Sequence, residues 1–184
     1  MIDKGKNIEN MTVELWIQKS TESYQLGKHE DEMICYDEAL KIAKNNVEIK
    51  EILFDKILGL EALGRYEEAI ENCNKILELT EEDEDTSFLW SSRESFLIAI
   101  GKYHEAVELK QNEAYKFFQK GLYDESVSWY NLVEHLLQYL KDEYNTDLFQ
   151  KYVGFYMMRS CAKLYLGDTN GADEDVEKCK KITG

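Results

Sequence analysis

The chain has 184 residues, 43% of them apolar, no proline and a formal net charge of −15. That length favours one or two domains, and the apolar share excludes a chain too polar to bury a core. No stretch approaches the roughly 20 apolar residues of a membrane span, and the opening MIDKGKNIENM lacks a secretion-signal core, so a cytoplasmic protein without membrane contact is expected. The charge is uneven: residues 1–46, 47–83, 84–120 and 121–184 carry −3, −7, −1 and −4. Such a field repels a phosphate backbone, which removes nucleic acid from the expected partners. It attracts basic proteins or peptides.

In chain order, residues 1–11 read as an N-terminal tail. Thr12 is a good N-cap, and Val13, Leu15, Trp16 and Ile17 feed a first helix over 12–26. A phrase then recurs: YQLGKHEDEM at 24–33, EALGRYEEAI at 61–70, IAIGKYHEAV at 98–107, FQKGLYDESV at 118–127 and, more weakly, LYLGDTNGAD at 164–173. In each, a helix stops at a Gly (27, 64, 101, 121, 167), where a left-handed cap is tolerated. Acidic residues then open the next helix, where its dipole favours them.

The repeated unit is a helical hairpin, and stacked hairpins make a solenoid because none can cover its own apolar face. The first two glycine intervals are 37 residues each, and the next two are 20 and 46. Nothing marks a stop from Tyr103 to Gln119, so the second helix of the third hairpin is read as continuing into the first helix of the fourth. A long helix is expected over 123–140, a polar connection over 141–147, and a last hairpin joining 148–166 to 170–182. Three hairpins thus fill 12–108, and 104–184 continues the array with irregular spacing. The fold class is all-α, an α-solenoid of about nine helices in antiparallel hairpins.

Catalytic chemistry finds little to work with. Cys35, Cys73, Cys161 and Cys179 form no C-x-x-C pair, and His29, His104 and His135 stand at no ligand spacing to them. A reduced compartment fits these cysteines best. The run TEEDEDT at 80–86 lacks the Gly and spaced ligands of a calcium loop, as does DTNGADEDVE at 168–177. No nucleophile stands beside a base at a recognisable spacing. No enzyme, metal or cofactor is expected.

These residues resemble the tetratricopeptide repeat family. Trp16 and Trp90 take the early aromatic place; Tyr66, Tyr103 and Tyr123 follow their turn glycines by two; Ala69, Ala106 and Ala172 follow by five. Tyr36 and Tyr130 take the later aromatic place, and Ala39 the small one. Glu32 and Ser126 depart from the Ala position, and the closing Pro is missing from every repeat. The resemblance implies a right-handed superhelix and a groove, lined by the first helices, that binds a protein or peptide partner. Carried onto the first three repeats, that groove contains Glu14, Ile17 and Tyr24, then Glu51, Phe54, Leu58 and Glu61, then Phe88 and Ile98. Its lining is apolar and mildly acidic, suited to an amphipathic, basic segment.

The stretch LKQNEAYKFFQKGLYDESVSWY resembles the opening of family members that clamp the acidic C-terminus of chaperones. Those need a Lys and an Asn one turn apart, then a further Asn on the next repeat. Gln111, Tyr115 and Met158 stand there, so the charge-assisted bonds of such a clamp are missing and that use is disfavoured. A self-associating scaffold, as a homodimer, is the alternative reading, since solenoid ends need polar caps and the last helix is only partly apolar.

Overall fold

A computed structural model describes residues 11–80 and 86–184, apart from the Ser87 side chain. Among the described residues it contains ten α-helices and no strand. They fall into two compact units, one ending at Gly101 and the other beginning at Lys102. No helix among the described residues is long and apolar enough to cross a membrane.

The first unit holds α1 (Val13–Gln25), α2 (His29–Ile42), α3 (Asn46–Ala62), α4 (Tyr66–Glu78) and α5 (Ser87–Ala99). Each helix packs on the next in order. The Thr12 hydroxyl accepts from Leu15 N, capping α1 as its residue type implies. Asn45 does the same for α3, accepting from Glu48 N, while the Glu48 carboxylate reaches back to Lys44 N at 2.8 Å. The turns at Gly27 and Gly64 take φ of 67° and 68°, and Lys28 N and Arg65 N bond back to Ser23 O and Leu60 O. This is the left-handed helix stop that the repeated phrase encodes.

The core of the first unit gathers Trp16, Met33, Tyr36, Ala39, Ile52, Leu53, Ile57, Leu60, Ala69, Cys73, Ile76, Leu89 and Phe96. The repeat's small residues Ala39 and Ala69 are fully enclosed. Where Glu32 replaces the small residue, its buried carboxylate receives His29 Nδ1 at 2.9 Å and the Tyr36 hydroxyl at 3.4 Å.

The second unit holds α6 (Tyr103–Gln119), α7 (Tyr123–Tyr144), α8 (Phe149–Tyr152), α9 (Gly154–Tyr165) and α10 (Thr169–Thr183). The uninterrupted helix read over 103–119 is α6, and it packs along α7. The long helix runs further than 140: α7 continues through most of the expected connection and stops at Asn145, which takes a left-handed φ of 51°. The segment read as one helix over 148–166 is broken at Val153 into α8 and α9, which raises the count to ten. Ser126, the second departure from Ala, is fully enclosed and donates its hydroxyl to Ala114 O at 2.9 Å. A small polar side chain is tolerated there because it has a partner.

Candidate functional site

The face nominated from the sequence lies on α1, α3 and α5, and most of its side chains remain in solvent. Tyr24 is 57% exposed, Leu58 47%, Phe88 46% and Phe54 39%. Glu14, Glu51 and Glu61 are exposed too, whereas Ile17 and Ile98 are half-buried. Apolar side chains of this size left partly in water on alternate helices make a candidate docking surface.

Only part of the nominated set converges. Glu51, Phe54 and Phe88 line one cavity of about 460 Å³, together with Lys50, Asp55, Ile76, Thr80, Thr86 and Leu89. The Phe54 and Phe88 rings meet with centroids 4.9 Å apart, tilted by 38°, and so join α3 to α5. Ile76 and Leu89 are buried and close the floor. Glu14, Ile17, Tyr24, Leu58, Glu61 and Ile98 do not line this cavity. Glu14 sits in the first turn of α1, and Tyr24 packs edge-on against His29 at 5.7 Å.

Sequence reasoning missed Asp55. It stands one helical turn after Glu51, a spacing that places both carboxylates on the same side of α3. Burial pushes the Asp55 carboxyl up from its ordinary value, and the like charges of Glu51 and Glu32 push it further. Neither Asp55 nor Glu51 has a hydrogen bond or ion pair with a described residue. Lys50, also on the cavity wall, has an interaction of its own and is not among the charges acting on Asp55.

The second unit carries a buried ionic cluster that its sequence pattern did not announce. Arg159 on α9 forks onto Asp175 of α10, Nε to Oδ2 at 2.9 Å and Nη2 to Oδ1 at 2.6 Å. Its Nη1 donates to Asn131 Oδ1 at 2.8 Å, and Nη2 lies 2.8 Å from Glu134 Oε2 on α7. Lys163 and Lys178 complete the pairing, to Asp175 and Glu134. Burial alone would raise the Glu134 carboxyl, but the bonds from Lys178, Tyr156 and Arg159 outweigh it and hold it at about 2. Every charge in the cluster has an opposite partner, as burial demands. The only hint in the sequence was an Arg in a chain with three of them.

Gln111, Tyr115 and Met158 come together on the wall of a second cavity of about 340 Å³, with Asn112, Lys151, Tyr152 and Phe155 among its other lining residues. The free thiols of Cys35 and Cys73 are buried, and burial pushes Cys73 up to about 11. No group of three potential metal ligands occurs among the described residues. The run 81–85 lies outside the described residues, as does most of the tail 1–11. At the other acidic stretch, Asp168 accepts from Gly171 N and caps α10.

Residues 13–46 and 60–83 match the tetratricopeptide repeat model. Within these two segments the chain carries degenerate tetratricopeptide repeats, and arrays of this repeat are protein-interaction modules, typically non-catalytic. No curated protein sequence matches it. Among solved structures, MamA residues 41 to the end from Desulfovibrio magneticus RS-1 is similar at 14% identity. That match covers 93% of this chain and 94% of the other, with a TM-score of 0.44. The TPR2AB domain of yeast Sti1, in a complex with a pHSP90 peptide, is similar at 14% identity over 92% of this chain and 77% of that one, TM-score 0.42. A tetratricopeptide repeat protein from Parabacteroides merdae ATCC 43184 shares 19% over 95% and 67%, TM-score 0.42.

Proposed function

We propose that the chain is a non-catalytic adaptor whose first unit takes an amphipathic, basic segment of a partner protein in a groove lined by α1, α3 and α5. The observation that carries this reading is the convergence of Phe54, Phe88 and Glu51 on one cavity, with Leu58 exposed on the same helix. An amphipathic helix laid across such a surface would seat apolar anchors on the rings and Leu58. The net charge of −15 supports a basic partner by steering its approach.

The double substitution Phe54→Asp/Leu58→Asp tests it. Both side chains are partly exposed, so the variant should keep its helicity, at a lower thermal midpoint because the Phe54–Phe88 contact is lost. Binding of peptides selected on the native chain should fall by roughly tenfold or more. Retained binding would reject this surface. A second reading, self-association, is favoured by one patch of the second unit. There Tyr165 stacks on Tyr123 with centroids 4.4 Å apart while Leu122, Leu164 and Leu166 stay exposed. A molar mass that stays monomeric across a dilution series would reject it.

A further inference from the structure

We propose that the α3–α5 cavity is an arginine receptor: a guanidinium on the docking segment stacks against Phe54 and Phe88 and donates hydrogen bonds to Glu51 and Asp55. This rests on the docking reading above and names the anchor that the segment must carry.

The cavity presents two kinds of wall. Ile76 and Leu89 make an apolar floor and the two phenylalanine rings an aromatic side. The same lining includes two carboxylates, Glu51 and Asp55, with no cation of their own among the described residues. A ligand that satisfies both must be flat enough to lie on a ring and positive enough to pair with carboxylates. Guanidinium is planar, stacks on aromatic faces, carries five donors and is weakly hydrated; ammonium is a compact, strongly hydrated point charge. A divalent metal would need several oxygens around it, and phenylalanine rings offer none. At about 460 Å³ the space admits one long side chain with part of its backbone.

The free protein holds this arrangement at a cost. A carboxylate placed beside two others, partly out of water, is destabilised in its charged form. An incoming cation relieves that repulsion, so the groups that oppose folding here favour binding. Among the described residues, the ionisable groups beside Asp55 are Glu51 on its own helix and Glu32 and Tyr36 on α2, with Lys50 also lining the cavity; Ile76 of α4, Phe88 and Leu89 of α5, and Thr80 and Thr86 outside those helices, are uncharged. Affinity should therefore fall as pH drops into the elevated range where Asp55 takes up a proton.

The experiment selects displayed random peptides of about 15 residues on the full chain near neutral pH and measures synthetic versions by fluorescence anisotropy. Selected sequences should share an arginine at a fixed distance from an apolar residue. Replacing that arginine by neutral, near-isosteric citrulline should weaken binding by roughly tenfold or more, with lysine losing nearly as much. Glu51→Gln and Asp55→Asn should each weaken it by a similar factor while leaving the thermal midpoint unchanged or higher. If the peptides are lost on Phe54→Asp/Leu58→Asp yet tolerate citrulline and Asp55→Asn, the receptor is overturned and the docking surface stands. If no peptide is selected, or those selected ignore Phe54→Asp/Leu58→Asp, both readings fall.

Discussion

The carboxylate of Glu32 fills the space that a side chain at Gly59 would need: a Cβ at Gly59 would come within 2.9 Å of Glu32 Oε1 and closer still to the Met33 methyl. The two residues lie on neighbouring helices, α2 and α3, and each is anomalous alone. Glu32 stands where Ala69, Ala106 and Ala172 mark the small position of the repeat, and Gly59 sits buried inside a helix, where it costs about 0.5–1 kcal/mol relative to Ala. Together they fit.

Gly59→Ala should therefore destabilise the protein despite alanine's better helix propensity. Overpacking at a closed contact costs about 1–3 kcal/mol, more than the propensity gain. The Met33 methyl, at the end of a flexible chain, can swing away; the Glu32 carboxylate is held by His29 and Tyr36. Adding Glu32→Ala to Gly59→Ala should recover most of the loss, restoring the alanine the repeat uses elsewhere. A urea-unfolding double-mutant cycle reads this directly, and additive losses would disprove the coupling.

The Glu134 carboxyl, held at about 2 against an ordinary 4.5, makes the second unit acid-sensitive in a defined window. A depressed carboxylate contributes stability that is complete above the unfolded value and lost as pH falls through the folded one. Native stability should then decline between about pH 4.5 and 2 with a slope approaching 1.4 kcal/mol per pH unit from this group. Glu134→Gln should flatten that part of the curve in acid titration followed by circular dichroism. An unchanged slope would refute the assignment.

Asp55 predicts the opposite sign. Its raised carboxyl binds a proton more tightly folded than unfolded, so its contribution improves as pH falls and is unfavourable at neutrality. Asp55→Asn should raise the thermal midpoint at neutral pH by a few degrees, and the gain should shrink toward acid. A lower midpoint for the variant would show that the carboxylate supports the fold instead.

Thiol chemistry offers a quick check of burial. Cys35 and Cys73 are enclosed and their thiols pushed up by burial, Cys73 to about 11, while Cys161 is exposed. The thiolate is the reactive form. A disulfide reagent at neutral pH should label Cys161 within the mixing phase and reach Cys35 and Cys73 only in denaturant. Rapid labelling of Cys73 in the native chain would contradict the packing of α4.

Much of this was legible before any coordinates. Glycine spacing placed the turns because only a residue without Cβ sits easily at φ near +70°, and the alanines after those turns are enclosed as the repeat implies. The absence of a stop signal located α6 correctly. The end of α7 and the break at Val153 were not legible, since polar residues at 141–144 suit an exposed helix as well as a loop. The candidate surface was half legible. Phe54, Phe88 and Glu51 followed from repeat register, but Ile76 and Leu89 join them only through helix packing. Asp55 escaped because a lone carboxylate on an acidic helix carries no mark of its surroundings. Arg159 and its partners lie on α7, α9 and α10, too far apart in sequence for spacing to pair them.

The cluster around Arg159 bears on how α10 is held against α9. Of α10's residues only Ala172 and Asp175 are buried, so little oil fastens that helix to α9. A slippery contact of this kind would let a helix slide by a turn at small loss. The two-pronged bridge forbids it, because any shift strands Asp175 without water or counter-charge. Alignment of α10 is thus keyed by ions, which discriminate between neighbouring settings far more sharply than methyl groups do.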